Sequence, residues 1–139
     1  MKTLFINKYD TLGGAAKAAF RLNLGLRKYL NYDNHFLVGI KASKLDYVYE
    51  TRKGGFENLV ERGINFATNL IGFQYKWFPF STRKIISVVR ELKPDIISLH
   101  NIHGGYFKTS LIKELSKYAP IVWTLHDMWA FTGGCHYSG

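Results

Sequence analysis

Two apolar runs, at residues 96–99 and 121–125, each close on a histidine followed by Asn or Asp, at His100-Asn101 and His126-Asp127. Between them Gly104 and Gly105 mark a turn. Residues 106–118 then carry helical spacing, with Phe107, Leu111, Leu115 and Tyr118 on one face and Lys108, Lys113 and Lys117 left for solvent. The unit is therefore strand, helix, strand. Strands without polar alternation suit a sheet covered on both faces, which calls for parallel strands joined by a right-handed crossover. In such a sheet ligands collect beyond the carboxyl ends of the strands, and that is the end at which both histidines fall.

The 139 residues, 47% of them apolar, are enough for one domain with a packed core, assigned here to residues 1–139. Of the net charge of +9, most lies early: Lys and Arg outnumber Asp and Glu by 10 to 4 through Lys53, by 6 to 3 from Gly54 to Lys93, and are matched 3 to 3 thereafter. That bias favours an anionic partner such as a phosphorylated ligand, an acidic membrane face or nucleic acid, although a basic surface also serves plain solubility. The lone Cys135 excludes an internal disulfide framework and fits a reducing compartment. No run has the apolar length of a signal peptide or a membrane span. The Gly-rich close at 136–139 lacks a finishing element, so we expect a piece of a longer protein.

Taken in order, residues 3–6 form a short apolar strand and 7–14 a polar, glycine-containing loop. From Ala15 to Leu30 the spacing of Ala15, Ala19, Leu22, Leu26 and Leu30 predicts a helix. A Gly13-Gly14 pair at the strand-to-helix junction lets backbone N–H groups approach a ligand, and the helix N-terminus favours phosphate. The pair lacks both the three-glycine dinucleotide fingerprint and the Gly-Lys-Ser/Thr of a P-loop, and a plain tight turn explains it equally well. Residues 35–40 read as a second strand. Lys41 follows it, where a dinucleotide site would carry an acid, which argues against NAD. Residues 42–55 look like a surface excursion with a short strand at 47–49.

Residues 56–73 are again helical, with Phe56, Leu59, Val60, Gly63, Ile64, Ala67, Leu70 and Ile71 on a broad apolar face, followed by the aromatic and basic cluster Phe73, Tyr75, Lys76, Trp77, Phe78 and Phe80. So wide a stripe predicts a helix packed on its own sheet; the rarer reading is a membrane-docking surface. Ser81 or Thr82 is expected to cap a third helix, with Ile85, Val88, Val89 and Leu92 on its core face and Lys93-Pro94 as its stop.

Three loops thus converge by topology: Gly13-Gly14, residues 100–105, and residues 126–134. The candidate ligand contacts on them are Gly13, Gly14, His100, Asn101, His103, Gly104, Asp127 and Trp129, with His126 the candidate catalytic group. Backbone donors and imidazoles with few carboxylates suit phosphate and hydroxyl groups. A histidine that merely ties two loops together is the plainer reading of His126. A rival constellation is metallic, a zinc or iron site of a hydrolase drawn from His100, His103, His126, Asp127, Cys135 and His136, but no compact ligand motif is complete. A non-catalytic phosphate- or nucleic-acid-binding module is the other alternative.

Three blocks carry a resemblance: Gly-Gly-Ala-Ala-Lys-Ala-Ala-Phe-Arg-Leu at 13–22, Pro-Asp-Ile-Ile-Ser-Leu-His-Asn-Ile-His-Gly-Gly-Tyr-Phe at 94–107, and Val-Trp-Thr-Leu-His-Asp-Met-Trp-Ala-Phe-Thr-Gly at 122–133. They resemble the N-terminal, acceptor-side domain of family 4 glycosyltransferases of the GT-B fold, in particular the bacterial group of colanic-acid, capsule and O-antigen synthesis. The stretch 42–80 matches nothing in that family. The resemblance implies a Rossmann-like three-layer α/β domain with a mainly parallel sheet, and a retaining transfer from a nucleotide-sugar that needs no metal or other cofactor. It places Gly13-Gly14 near the donor diphosphate and His126 near the transferring sugar. The donor domain with its paired glutamates is absent from this sequence, so the chain alone is expected to be inactive. The implied partners are the nucleotide-sugar and a saccharide acceptor carried on polyprenyl diphosphate, with no nucleic acid. The implied place is the cytoplasm, peripheral at an anionic inner membrane.

Overall fold

The computed structural model describes residues 1–52, 54–72 and 76–132. In chain order β1 (Lys2–Tyr9), α1 (Gly14–Leu30), β2 (Asp33–Ile40), β3 (Val48–Glu50), α2 (Gly55–Leu70), α3 (Pro79–Leu92), β4 (Ile96–Leu99), α4 (Leu111–Leu115), β5 (Ile121–Trp123) and the single turn α5 (Trp129–Thr132) follow one another. The five strands form one sheet in the order β3-β2-β1-β4-β5, with every pairing parallel. One face packs on α1 through Phe5, Phe36, Val38 and Ala19; the other packs on α3 and α4 through Leu4, Ile6, Leu37, Ile97 and Leu99. This is a Rossmann-like α/β architecture, and its parallel strands bring the loops after β1, β4 and β5 to one rim. Among the described residues no helix is long and apolar enough to cross a membrane.

Several elements depart from the pattern read in the sequence. β1 runs three residues beyond Ile6 because β2 continues to pair with it, Asn7 beside Val38 and Tyr9 beside Ile40, whereas its pairing with β4 stops at Ile6. The buried side of α1 is Ala16, Ala19 and Asn23, not the stripe through Leu22 and Leu30, both of which are exposed. Small residues let that helix lie close to the aromatic pair Phe5 and Phe36, whose rings stack 5.6 Å apart. The helix expected over 106–118 shrinks to α4, since Tyr106 and Phe107 are drawn wholly into the core first. Tyr106 also donates its hydroxyl to the Asn101 carbonyl, closing that loop. β5 ends at Trp123, and its Val122 is exposed on the α1 side, so double covering does not extend to this edge of the sheet.

The largest departure is α2, which does not lay its apolar stripe on the sheet. Phe56, Leu59, Phe66 and Leu70 are 74%, 71%, 67% and 74% exposed, whereas Glu61 is fully buried. The inward side is polar because it serves α3. That helix begins at Pro79, so Ser81 lies within its first turn and is not the cap. The orphan N–H of Ser81 is satisfied instead by Glu61, whose carboxylate accepts from Ser81 N–H at 2.8 Å and from its hydroxyl at 2.6 Å. A carboxylate at a helix N-terminus is also favoured by the helix dipole. Arg52 stands 3.7 Å from the same carboxylate and is itself buried with Thr51, so these two residues of the 42–55 segment are interior rather than part of a surface excursion. The expected end of α2 at Phe73, and Tyr75 beyond it, lie outside the described residues.

Two outcomes follow. A Cβ at Gly39 would stand 2.7 Å from Cγ of Tyr106, near the root of a side chain that cannot swing aside. Gly39→Ala is expected to cost about 1–3 kcal/mol, measured by urea unfolding. Glu61→Ala leaves Arg52 buried without its carboxylate and α3 without its cap, and should cost about 3–5 kcal/mol in the same assay.

Candidate functional site

The rim is assembled from the ends of β1, β4 and β5, and Asn7 holds the first two together. Its side chain, almost fully buried, accepts from Asn101 N–H at 3.0 Å and donates to the Tyr9 carbonyl at 2.7 Å. Asn101 thereby joins Lys8, Gly13 and Gly14 around an open cleft of about 160 Å³. α1 starts at this cleft with Gly13 as its N-cap at φ 87°, and no side chain caps its first turn. Lys8 lies along Gly104, whose missing Cβ would otherwise come within 2.7 Å of the lysine stem. An ammonium, uncapped helix N–H groups and a carboxamide thus surround one hollow, a donor set suited to an anion.

Beyond Asn101 the histidines form two separate pairs. His100 Nδ1 lies 3.0 Å from His126 Nε2, and His100 Nε2 lies 3.1 Å from the Ser98 hydroxyl. The His100 ring stacks on Phe5 at 5.6 Å and its carbonyl accepts from Trp123 Nε1–H at 3.1 Å, so little in it can move. His126 is on the exposed side of the pair. In the second pair His103 Nε2 lies 2.7 Å from Asp127 Oδ2, while the other oxygen of Asp127 accepts from Trp129 N–H at 3.1 Å. Trp129 in turn packs on the His103 ring at 5.3 Å. The space among these residues is only about 10 Å³, so among the described residues the rim is open at the glycine cleft and on the outer side of His126.

The residues read from the sequence as ligand contacts, together with His126, lie on this rim, though in different settings. Gly13, Gly14 and Asn101 line the cleft; His100 is interior and supports His126; His103, Asp127 and Trp129 brace one another; Gly104 makes room for Lys8. Lys8 and Asn7 escaped the sequence reading because they follow the apolar run that defines β1 and look like loop. Their alternation, Asn7 in and Lys8 out, was the available signal. Asp10 was missed too. It is fully buried and accepts from the N–H groups of Ala42 and Ser43, at 3.0 and 2.7 Å, which ties the glycine loop to the β2–β3 connection. Lys41 donates to the carbonyls of Leu45, in that same connection, and Val48, at the start of β3, at 2.7 and 2.8 Å.

Among the described residues no three His, Cys, Asp or Glu side chains are arranged to hold a metal ion; Cys135 and His136 lie outside them. A hollow of about 940 Å³ lies away from the strand ends, along α3 beside α2. Compared with protein-family models and with curated proteins, the chain matches none significantly.

Burial, with the neighbouring His126 adding to it, holds the His100 imidazole down to about 4. It is therefore neutral at pH 7. In the unfolded chain the group titrates near 6.5 (about), so between the two values the unfolded state takes up a proton that the folded state refuses. Its contribution to stability is complete above the unfolded value and is lost as pH falls toward the folded one. Thermal melts across this window should show a falling midpoint, and His100→Asn should flatten the fall relative to the wild type.

Proposed function

We propose that this chain is the acceptor-side domain of a retaining glycosyltransferase, which moves a sugar from a nucleotide-sugar to a lipid-linked saccharide of a surface polysaccharide. A second, donor-binding domain completes the cleft. The observation that supports the reading is the shared rim, where an anion-suited cleft around Gly13, Gly14 and Lys8 adjoins His126 through a single residue, Asn101. Phosphate and imidazole functions side by side are what transfer from a sugar diphosphate requires: one set of groups to hold the leaving diphosphate, and a hydrogen-bonding group at the sugar.

In this reading the N–H groups at the start of α1 and the Lys8 ammonium face the diphosphate, and negative charge developing on the leaving oxygen is offset there. His126, backed by the neutral His100, hydrogen-bonds a hydroxyl of the transferring sugar and fixes its orientation. Asn101 and Asn7 keep the two halves of the rim in register. His103, Asp127 and Trp129 form the wall on the β5 side.

The test is transfer of radiolabelled sugar by the protein carrying both domains. His126→Ala should lower kcat by about a hundredfold, the cost of one preorganised donor, with the far-ultraviolet circular dichroism spectrum and melting temperature preserved. Undiminished turnover would remove His126 from the reaction.

A further inference from the structure

We propose that α1 and the sheet enclose a binding site for internal water, formed by Thr3, Asn23 and Asn34 next to the stacked phenylalanines. The site lies at the opposite end of the strands from the rim, and the inference is independent of the reaction assigned there.

The layering of the α1 face brings the three side chains together. Residues of β1 and β2 turn alternately to α1 and to α3, so Thr3 precedes Phe5, and Asn34 precedes Phe36, on the α1 side. Thr3 and Asn34 are register partners, as are Phe5 and Phe36. α1 returns antiparallel to both strands, and its buried Asn23 lies one turn beyond Ala19, which packs with the phenylalanines. One helical turn advances about 5.4 Å and two strand residues about 6.6 Å, so Asn23 falls opposite Thr3 and Asn34. Asn34 meets it there, donating from Nδ2 to the Asn23 carbonyl at 3.2 Å.

All three are sealed from solvent: Asn23 and Asn34 are fully buried and Thr3 is 4% exposed. Yet both ends of the Asn23 carboxamide, Asn34 Oδ1 and Thr3 Oγ1 meet no hydrogen-bonding partner in the protein, so they lie beyond direct reach of one another. A buried polar atom in that state costs free energy, and four in one layer call for a ligand that both gives and takes hydrogen bonds. One threonine and two asparagines also fill less volume than the two phenylalanines and the alanine of the next layer, which suits an occupant the size of water.

Charge decides against the other small occupant, a monovalent cation. Arg27, one turn further along α1, donates to the Asn34 carbonyl and borders the layer on the side away from the phenylalanines, with its guanidinium 4.2 Å from the centre of the Tyr47 ring. A fixed positive charge at that wall and a carboxamide N–H facing the site repel a second cation. Water accepts from Asn23 Nδ2 and from the Thr3 hydroxyl and donates to Asn34 Oδ1. Which end of Asn23 is oxygen does not alter this, since both ends are in the layer. Held there, water ties the middle of α1 to β1 and β2, and so fixes the helix whose first turn borders the glycine cleft.

The experiment is oxygen-17 magnetic relaxation dispersion of water on the full-length protein, which counts long-lived internal water molecules. Asn23→Leu, close to isosteric, should remove at least one of them, and so should Thr3→Val. Thr3→Ser, which keeps the hydroxyl, should retain it. In urea unfolding Asn23→Leu should raise the unfolding constant by about tenfold, because Thr3 and Asn34 lose their bridge. A count of bound water unchanged by Thr3→Val and Asn23→Leu would overturn the proposal. So would an Asn23→Leu protein more stable than the wild type, the result expected if the carboxamide simply goes unsatisfied. A melting temperature raised by sodium or potassium at constant ionic strength in the wild type but not in Asn23→Leu would overturn it in favour of a cation.

Discussion

Backbone pairing on both edges of β1 decides where every loop of this protein goes. β1 lies between β2 and β4 with all its neighbours parallel, so the chain must leave each strand at the same end and return by a crossover to the other. The interior order follows from that ladder. Leu4 and Ile6 meet Leu37, Ile97 and Leu99 on one side, while Phe5 meets Phe36 on the other, and a slip of one residue would exchange the two sets. Because Asn7 lies on the same strand as Phe5, the register that packs the core also aims the carboxamide at Asn101.

Much of this architecture was legible in the amino-acid order. The runs at 96–99 and 121–125 identified parallel strands, of which only the first is buried, and the histidines after them identified the rim, because both inferences depend only on local hydrophobic pattern and chain direction. The glycine pair at the head of α1 was legible for the same reason. What escaped were features fixed by distant partners. Nothing near Glu61 says that it will cap a helix 20 residues later, and nothing near Tyr106 says that Gly39 will be short of a side chain to receive it. Periodicity located an apolar face on 56–71 correctly but could not say which way it points, since hydrophobic spacing records the existence of a stripe and not what the opposite face must bind.

That opposite face shows how a few polar contacts outweigh a large apolar one. Turning α2 over would hide its phenylalanines and leucines but would strip the buried Arg52 of its carboxylate and the first turn of α3 of its acceptor. An uncompensated buried charge costs several kcal/mol, comparable with burying two or three large apolar side chains (about 1.5–3 kcal/mol each). A polar anchor of this strength therefore makes the exposed row a fixed property of the fold.

The chain of contacts from Ser98 through His100 to His126 has an implication for information flow at the surface. With His100 neutral, its single ring proton sits on one nitrogen or the other. If Ser98 donates inward, His100 donates to His126 Nε2, and a neutral His126 then carries its proton on the outer nitrogen. If the protons all shift the other way, His100 donates to Ser98 and accepts from His126, whose outer nitrogen becomes a lone pair. The rotation of one hydroxyl beneath the sheet is thus coupled to whether the solvent-facing imidazole gives or takes a hydrogen bond. Two polarities of neighbouring group can be met without moving a heavy atom.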